Sequence, residues 1–199
     1  MQGNKLTTVD ACVGYLRELR SLYLKGNPLR KLALSIGALQ NLHILSYDNA
    51  EGMTIPPCQV GKVGHIAVIE WLKIFYHNIV VQFRSELRKN FYTAKAAFNF
   101  FDKDRSGQLD KDEVSAALEY LNIDVKYFEY VWLTLDMNNN GVVEWFEFLH
   151  NFAANMDETV KDPYIDLKPF LPDEVIQQTA QLLCANPWQT TQFEKVVSI

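Results

Sequence analysis

The sequence predicts an α+β protein that is mainly helical: a short solenoid fragment with a helical cap, an all-helical pair of helix–loop–helix units, and a helical tail. Three observations carry this. Residues 3–60 match themselves at an offset of 23, residues 98–152 match themselves at an offset of 34, and a long proline-free stretch lies between the two repeats. Four segments follow, at 1–62, 63–90, 91–156 and 157–199.

In the first segment, Leu16, Leu19 and Leu22 fall on Leu39, Leu42 and Leu45, Gly3-Asn4-Lys5-Leu6 falls on Gly26-Asn27-Pro28-Leu29, and Val13-Gly14 falls on Ile36-Gly37. Leu22 and Leu24 alternate as in a short strand. The Asn27 amide is placed to satisfy backbone groups where the chain leaves that strand. No single copy can bury its leucines alone, so the copies must stack. The run L-x-x-L-x-L-x-x-N-x-L from Leu19 to Leu29, with the closing Ile55-Pro56-Pro57, resembles the intracellular leucine-rich repeat class over roughly residues 3–60. That resemblance implies protein binding, with packing against the rest of the protein as the alternative use of so few repeats, and an uncapped edge is what favours membership of a larger complex. The third copy departs from the pattern, with Tyr47 and Ala50 in place of an aliphatic residue and an asparagine. Met1 opens inside the first copy, which predicts an uncapped edge.

From Val63 to about Lys89 the sequence predicts one capping and connecting helix, with Ile66, Ile69, Leu72, Phe75 and Val80 near helical spacing and Gly64 as the interruption. Its second half turns basic at Arg84, Arg88 and Lys89. His43, His65 and His77 share no ligand spacing and read as structural or surface residues.

The second repeat carries the chemistry. Residues 102–113 read DKDRSGQLDKDE, with side-chain oxygens on Asp102, Asp104 and Ser106 at positions 1, 3 and 5 and the Gln108 carbonyl at position 7. Asp110 follows at position 9 and a bidentate Glu113 at position 12, around a glycine at position 6 that permits the sharp turn. Residues 136–147 repeat the plan with Asp136, Asn138, Asn140, the Val142 carbonyl, Glu144 and Glu147. A hard divalent cation takes about six to eight oxygens, and each loop offers about seven. The flanks correspond too: Phe98, Phe101, Val114 and Leu118 fall on Trp132, Leu135, Phe148 and Phe152, and Leu109 faces Val143 at position 8. Residues 91–156 therefore resemble a calmodulin-like EF-hand pair, which implies two Ca²⁺ sites. The first loop carries four carboxylates and the second three, so the first is expected to bind more tightly.

Asp173–Cys184 reads as an amphipathic helix in the tail, with the aromatic groove of the EF pair, the repeats and another chain as possible docking faces. Charge is split along the chain. Residues 1–100 hold twelve Lys and Arg against six Asp and Glu, residues 101–199 hold seven against eighteen, a net of +6 followed by −11. The 48% hydrophobic content supports a packed core and excludes general disorder. Cys12, Cys58 and Cys184 fit neither a disulfide framework nor a zinc spacing.

No apolar run near the length of a membrane span, no signal segment and no Asn-x-Ser/Thr sequon occur. A cytoplasmic location is expected, with a cytoskeletal or ciliary assembly as a candidate setting. No hydrolase elbow, P-loop, zincin or kinase signature is present, so catalysis is not expected, and nothing points to nucleic acid. Three roles fit: a calcium-sensing adaptor with protein partners, a constitutive subunit of a large assembly in which calcium stabilises the fold, and a regulatory fragment of an enzyme.

Overall fold

The computed structural model describes residues 3–49, 53–153 and 170–175. Strands β1 (Ser21–Tyr23) and β2 (Ile44–Ser46) pair in parallel, with Leu22 opposite Leu45, so residues 23 apart lie side by side. A parallel pair needs a crossover, here containing the 3₁₀ turn Leu34–Ala38. The equivalent turn before β1, Ala11–Tyr15, is capped by the Asp10 carboxylate accepting from the Cys12 N–H. Leu22, Leu24, Leu39, Leu42 and Leu45 point inward and are buried, while Tyr23 and Ile44 on the opposite face are exposed. The correspondence fails at Leu16, which is 51% exposed where its counterpart Leu39 is fully buried.

Asn27 is buried at the exit from β1. Its Nδ2 donates to the Leu24 carbonyl at 2.6 Å and its Oδ1 accepts from the Leu6 N–H at 3.1 Å, so one amide ties two copies together. Asn27→Ala strands a buried carbonyl and an N–H. It is expected to lower unfolding free energy by about 1–3 kcal/mol; urea denaturation of the two chains gives the difference.

Helix α1 (Cys58–Val63) ends at Gly64, whose φ of 132° only glycine adopts readily, and α2 (His65–Asn90) starts immediately after. The helix expected from Val63 thus begins at His65, after the turn at that glycine, and a separate short helix precedes it. Arg88 and Lys89 in the last turn complement the helix dipole. The expectation that no segment reaches membrane-spanning length also needs correction. The 26 residues of α2 are long and apolar enough by composition, since scattered charges interrupt the run without lowering its average sufficiently. Buried residues account for 61% of its most apolar stretch. Leu72 and its neighbours face the repeats, and the same helix meets the second helix–loop–helix unit.

Thr93 caps α3 (Ala94–Phe101) by accepting from the Ala96 N–H. After it come β3 (Gln108–Leu109), α4 (Lys111–Tyr120), a 3₁₀ turn at Val125–Tyr127, α5 (Phe128–Leu135), β4 (Val143–Glu144) and α6 (Trp145–Ala153). The fold is mainly helical with few strands. Among the described residues the parallel sheet is two strands wide, with one further parallel bridge between Lys31 and Ile55. One continuous apolar core runs from the repeats through α2 into α3–α6. Two glycines permit the close contacts in it. A Cβ on Gly37 would meet the Leu72 carbonyl oxygen at 2.2 Å, and one on Gly14 would meet Leu133 Cδ2 at 2.3 Å.

Of the tail, only Phe170–Val175 is described. Leu171 is buried, and Phe170 lines a cavity with Val63, Gly64, His65, Ile66 and Ala67 at the α1–α2 turn. The expected helix Asp173–Cys184 lies beyond the described residues after its third position.

Candidate metal centre

Helix α3 delivers Asp102 at its C-terminus, and the chain then curls around that side chain. Asp102 Oδ1 accepts from the Ser106 N–H and Oδ2 from the Gly107 N–H, both at 3.0 Å. Asp104 Oδ1 accepts from the same Ser106 N–H at 2.9 Å, and the Ser106 amide and hydroxyl hold the Asp104 carboxyl below the usual range. Arg105 and Gly107 take positive φ, 58° and 81°, at loop positions 4 and 6. The loop closes on the start of α4. Asp110 caps that helix by accepting from the Glu113 N–H, and Glu113 Oε2 accepts from the Asp110 N–H, a reciprocal capping box. Glu113 Oε1 accepts from the Lys103 N–H across the loop at 2.8 Å. The same carboxylate therefore starts the exiting helix and faces the loop centre. Carboxylate oxygens of Asp102, Asp104 and Glu113 all lie within 4.8 Å of one another. The Ser106 hydroxyl and the Gln108 carbonyl meet at 3.0 Å.

The second loop repeats these bonds. Asp136 accepts from the Asn140 and Gly141 N–H groups at 3.0 and 3.1 Å, and Asn138 Oδ1 accepts from the Asn140 N–H at 3.0 Å. Asn140 Oδ1 accepts from the Val142 N–H, and Asn138 Nδ2 lies 3.5 Å from Glu144 Oε2. Glu147 Oε1 accepts from the Met137 and Asn138 N–H groups, and its Oε2 accepts from the Glu144 N–H. Asn139 and Gly141 repeat the positive φ values at 58° and 88°.

Asp136 and Glu147 are both fully buried, and among the described residues neither makes an ion pair. A carboxylate buried without an ion pair is unfavourable unless a cation compensates it, so this donor set fits a hard divalent ion. A Cβ on Gly107 or Gly141 would meet nothing within 4 Å, so their backbone angles, not crowding, select glycine.

Strands β3 and β4 join the loops in antiparallel register, Leu109 opposite Val143, both buried. Beneath them Phe98 packs edge-on against Phe148 and Trp145, and Lys111 sits 5.5 Å over the Trp132 ring. Phe98, Phe101, Trp132 and Phe148 are buried and Phe152 is half-buried, so the aromatic groove is closed in this structure. The second unit also faces the repeats. Burial, and next to it the charge of Asp136, pushes the Tyr15 phenol up to about 12, so the ring is neutral at physiological pH.

Sequence reasoning missed Tyr76, Thr134 and Asn151, and read Arg84 only as part of a basic stretch; these four join the second unit to α2. The available signal was a polar residue at 151 where the 34-residue offset has Ala117.

A family model of the EF-hand domain pair matches residues 91–153. Over 115 residues, 55% of this chain, the sequence is 29% identical to EF-hand domain-containing family member B of Bos taurus. It is 40% identical over 53 residues to calcium-dependent protein kinase 28 of Oryza sativa subsp. japonica, and 39% over 54 residues to calcium-dependent protein kinase 5 of Solanum tuberosum, 27% of this chain in each case. The chain spans 12% of the length of the bovine relative and 10% of each kinase. No solved structure matches the chain at a significant level. Residues 91–153 are an EF-hand domain pair, and the pair binds Ca²⁺.

Proposed function

We propose that this chain is a non-enzymatic calcium-binding adaptor. Residues 3–60 act as a small leucine-rich repeat unit that holds a protein partner, and the EF-hand pair senses calcium at two sites. The observation that carries the calcium role is the cluster of Asp102, Asp104 and Glu113 around a glycine turn, with the same turn and the same pattern of N–H bonds recurring at Asp136, Asn138 and Glu147. Ser106, Gln108 and Asp110 complete the first site, and Asn140, Val142 and Glu144 the second. The repeat reading is supported by parallel strands in 23-residue register and by the Asn27 amide joining two copies. Exposed Tyr23 and Ile44 on the outward strand face offer the partner apolar contact. A cytoplasmic setting, cytoskeletal or ciliary, belongs to the same proposal.

A pull-down with and without calcium tests it. Calcium-dependent recovery of a protein partner, lost when Tyr23 and Ile44 are both changed to Asp, is the expected result. Recovery unaffected by that pair of changes contradicts the adaptor reading.

One observation favours a second reading, that of a constitutive subunit of a larger assembly: repeats, α2 and EF pair share one core, so calcium is built into the folded unit. Partner recovery that resists salt and ignores calcium is its signature.

A further inference from the structure

The two hands differ just below their loops. Asn151, four residues beyond Glu147 on α6 and 1% exposed, donates from Nδ2 to the carbonyls of Thr134 at 3.1 Å and Glu147 at 3.0 Å. Its Oδ1 accepts from Arg84 Nη2 on α2 at 3.1 Å. The Thr134 hydroxyl donates to the Tyr130 carbonyl at 2.9 Å and accepts from the Tyr76 hydroxyl of α2 at 2.7 Å. Arg88 Nε donates to the Phe152 carbonyl at 3.3 Å. These bonds tie the end of α5, the end of α6 and α2 from its middle to its last turns to one another. In the first hand the positions of Thr134 and Asn151 are held by Phe100 and Ala117, which have no side-chain polar atoms to make such bonds. Among the described elements α5 and α6 pack on α2, and α3 and α4 pack mainly on the second hand.

We propose that this buried network holds the interhelical angle of the second hand and seats Glu147, making Asn151, Arg84 and Tyr76 positioning residues for the second calcium site and leaving the first hand as the one whose angle responds to calcium. The inference rests on the reading that Glu147 closes a calcium loop. Moving α6 against α5 or α2 means breaking several hydrogen bonds on one buried amide at once, each of which would be left unmade in a low-dielectric place. A held exiting helix also reduces the freedom Glu147 loses when its carboxylate closes on an ion, which raises affinity without adding a ligand. That gain offsets part of what the missing carboxylate costs the second loop, and the first loop stays the tighter site. By reciprocity, calcium in the second loop strengthens the attachment of α6 to α2, and so of the EF pair to the repeats, by the same factor.

The test is calcium titration of the full chain followed by the backbone amide resonances of Gly107 and Gly141, in wild type and in the Tyr76→Phe/Arg84→Met double variant. Residual dipolar couplings then report each interhelical angle. The expected result is a roughly tenfold weaker response at Gly141 with Gly107 changed less than about twofold. Wild-type couplings should show calcium turning α3 against α4 but not α5 against α6, and in the variant both angles should move. If the double variant does not fold, Tyr76→Phe alone removes one hydroxyl, and a roughly threefold loss at Gly141 is expected of it. Unchanged Gly141 affinity in the variant, or equal angular changes in both wild-type hands, overturns the proposal. A Gly141 resonance indifferent to calcium in wild type overturns instead the calcium reading of the second loop beneath it.

Discussion

Gly37→Ala is expected to unseat the repeats from α2 and to cost about 3 kcal/mol or more of unfolding free energy, at the upper end of overpacking effects. The new methyl would lie 2.2 Å from the Leu72 carbonyl oxygen and 2.7 Å from Tyr76 Cβ. The obstacle is helix backbone, which cannot rotate out of the way. Either α2 shifts or the 3₁₀ turn Leu34–Ala38 does, and both carry buried neighbours with them. The equivalent change at Gly14 meets the end of the Leu133 side chain, which can change rotamer, and the Ser35 Cβ and backbone oxygen only at 3.0 Å, so Gly14→Ala should cost less. Urea denaturation of the two variants side by side checks the contrast. A Gly37→Ala loss below about 1 kcal/mol contradicts the close packing of repeat on helix.

The second large effect is on calcium. Glu113→Gln and Glu147→Gln should each weaken binding at their own loop by on the order of a hundredfold, comparable to the span of affinities that ligand charge and rigidity produce among sensor EF-hands. Each glutamate offers two oxygens held toward the loop by N–H donors, those of Lys103 and Asp110 for Glu113 and those of Met137, Asn138 and Glu144 for Glu147. The amide replaces one of those acceptors with a donor that faces other donors, and it removes a charge. Because four carboxylates surround the first loop and three the second, the first should fill first in wild type. Isothermal titration of each variant gives the loss. A variant that binds as wild type at its own site removes that glutamate from the ligand set.

The loops were legible in the sequence because metal chemistry imposes strictly local spacing: oxygens at fixed positions, a glycine at the turn, a glutamate at the end. Their pairing through Leu109 and Val143 followed from the 34-residue offset, and the strands close in that register. The parallel strands pair residues 23 apart, the same spacing as the offset in the sequence. Which hand would pack on α2 was not legible. Both flanks carry large aromatic residues, and the choice depends on long-range contacts that periodicity does not encode. Asn151 marks it afterwards, as a buried amide where the other hand has Ala117. The long helix was legible, since a proline-free run with apolar residues at helical spacing from Val63 to about Lys89 forms α2 at His65–Asn90.

Closure of the aromatic groove bears on the tail. Phe98, Phe101, Trp132 and Phe148 are buried in this structure, with Phe98 edge-on to Phe148, while the stretch expected to cover them lies outside the described residues after Val175. The described start of the tail rests at the α1–α2 turn through Phe170.

The most direct measurement of the central claim is the calcium stoichiometry of the full chain by isothermal titration, with the Glu113→Gln/Glu147→Gln double variant as control. Two ions per wild-type chain, and none in the variant over the same concentration range, is the predicted result. Calcium uptake by the double variant equal to that of wild type would contradict it, because the ions would then be held by groups other than the two loops.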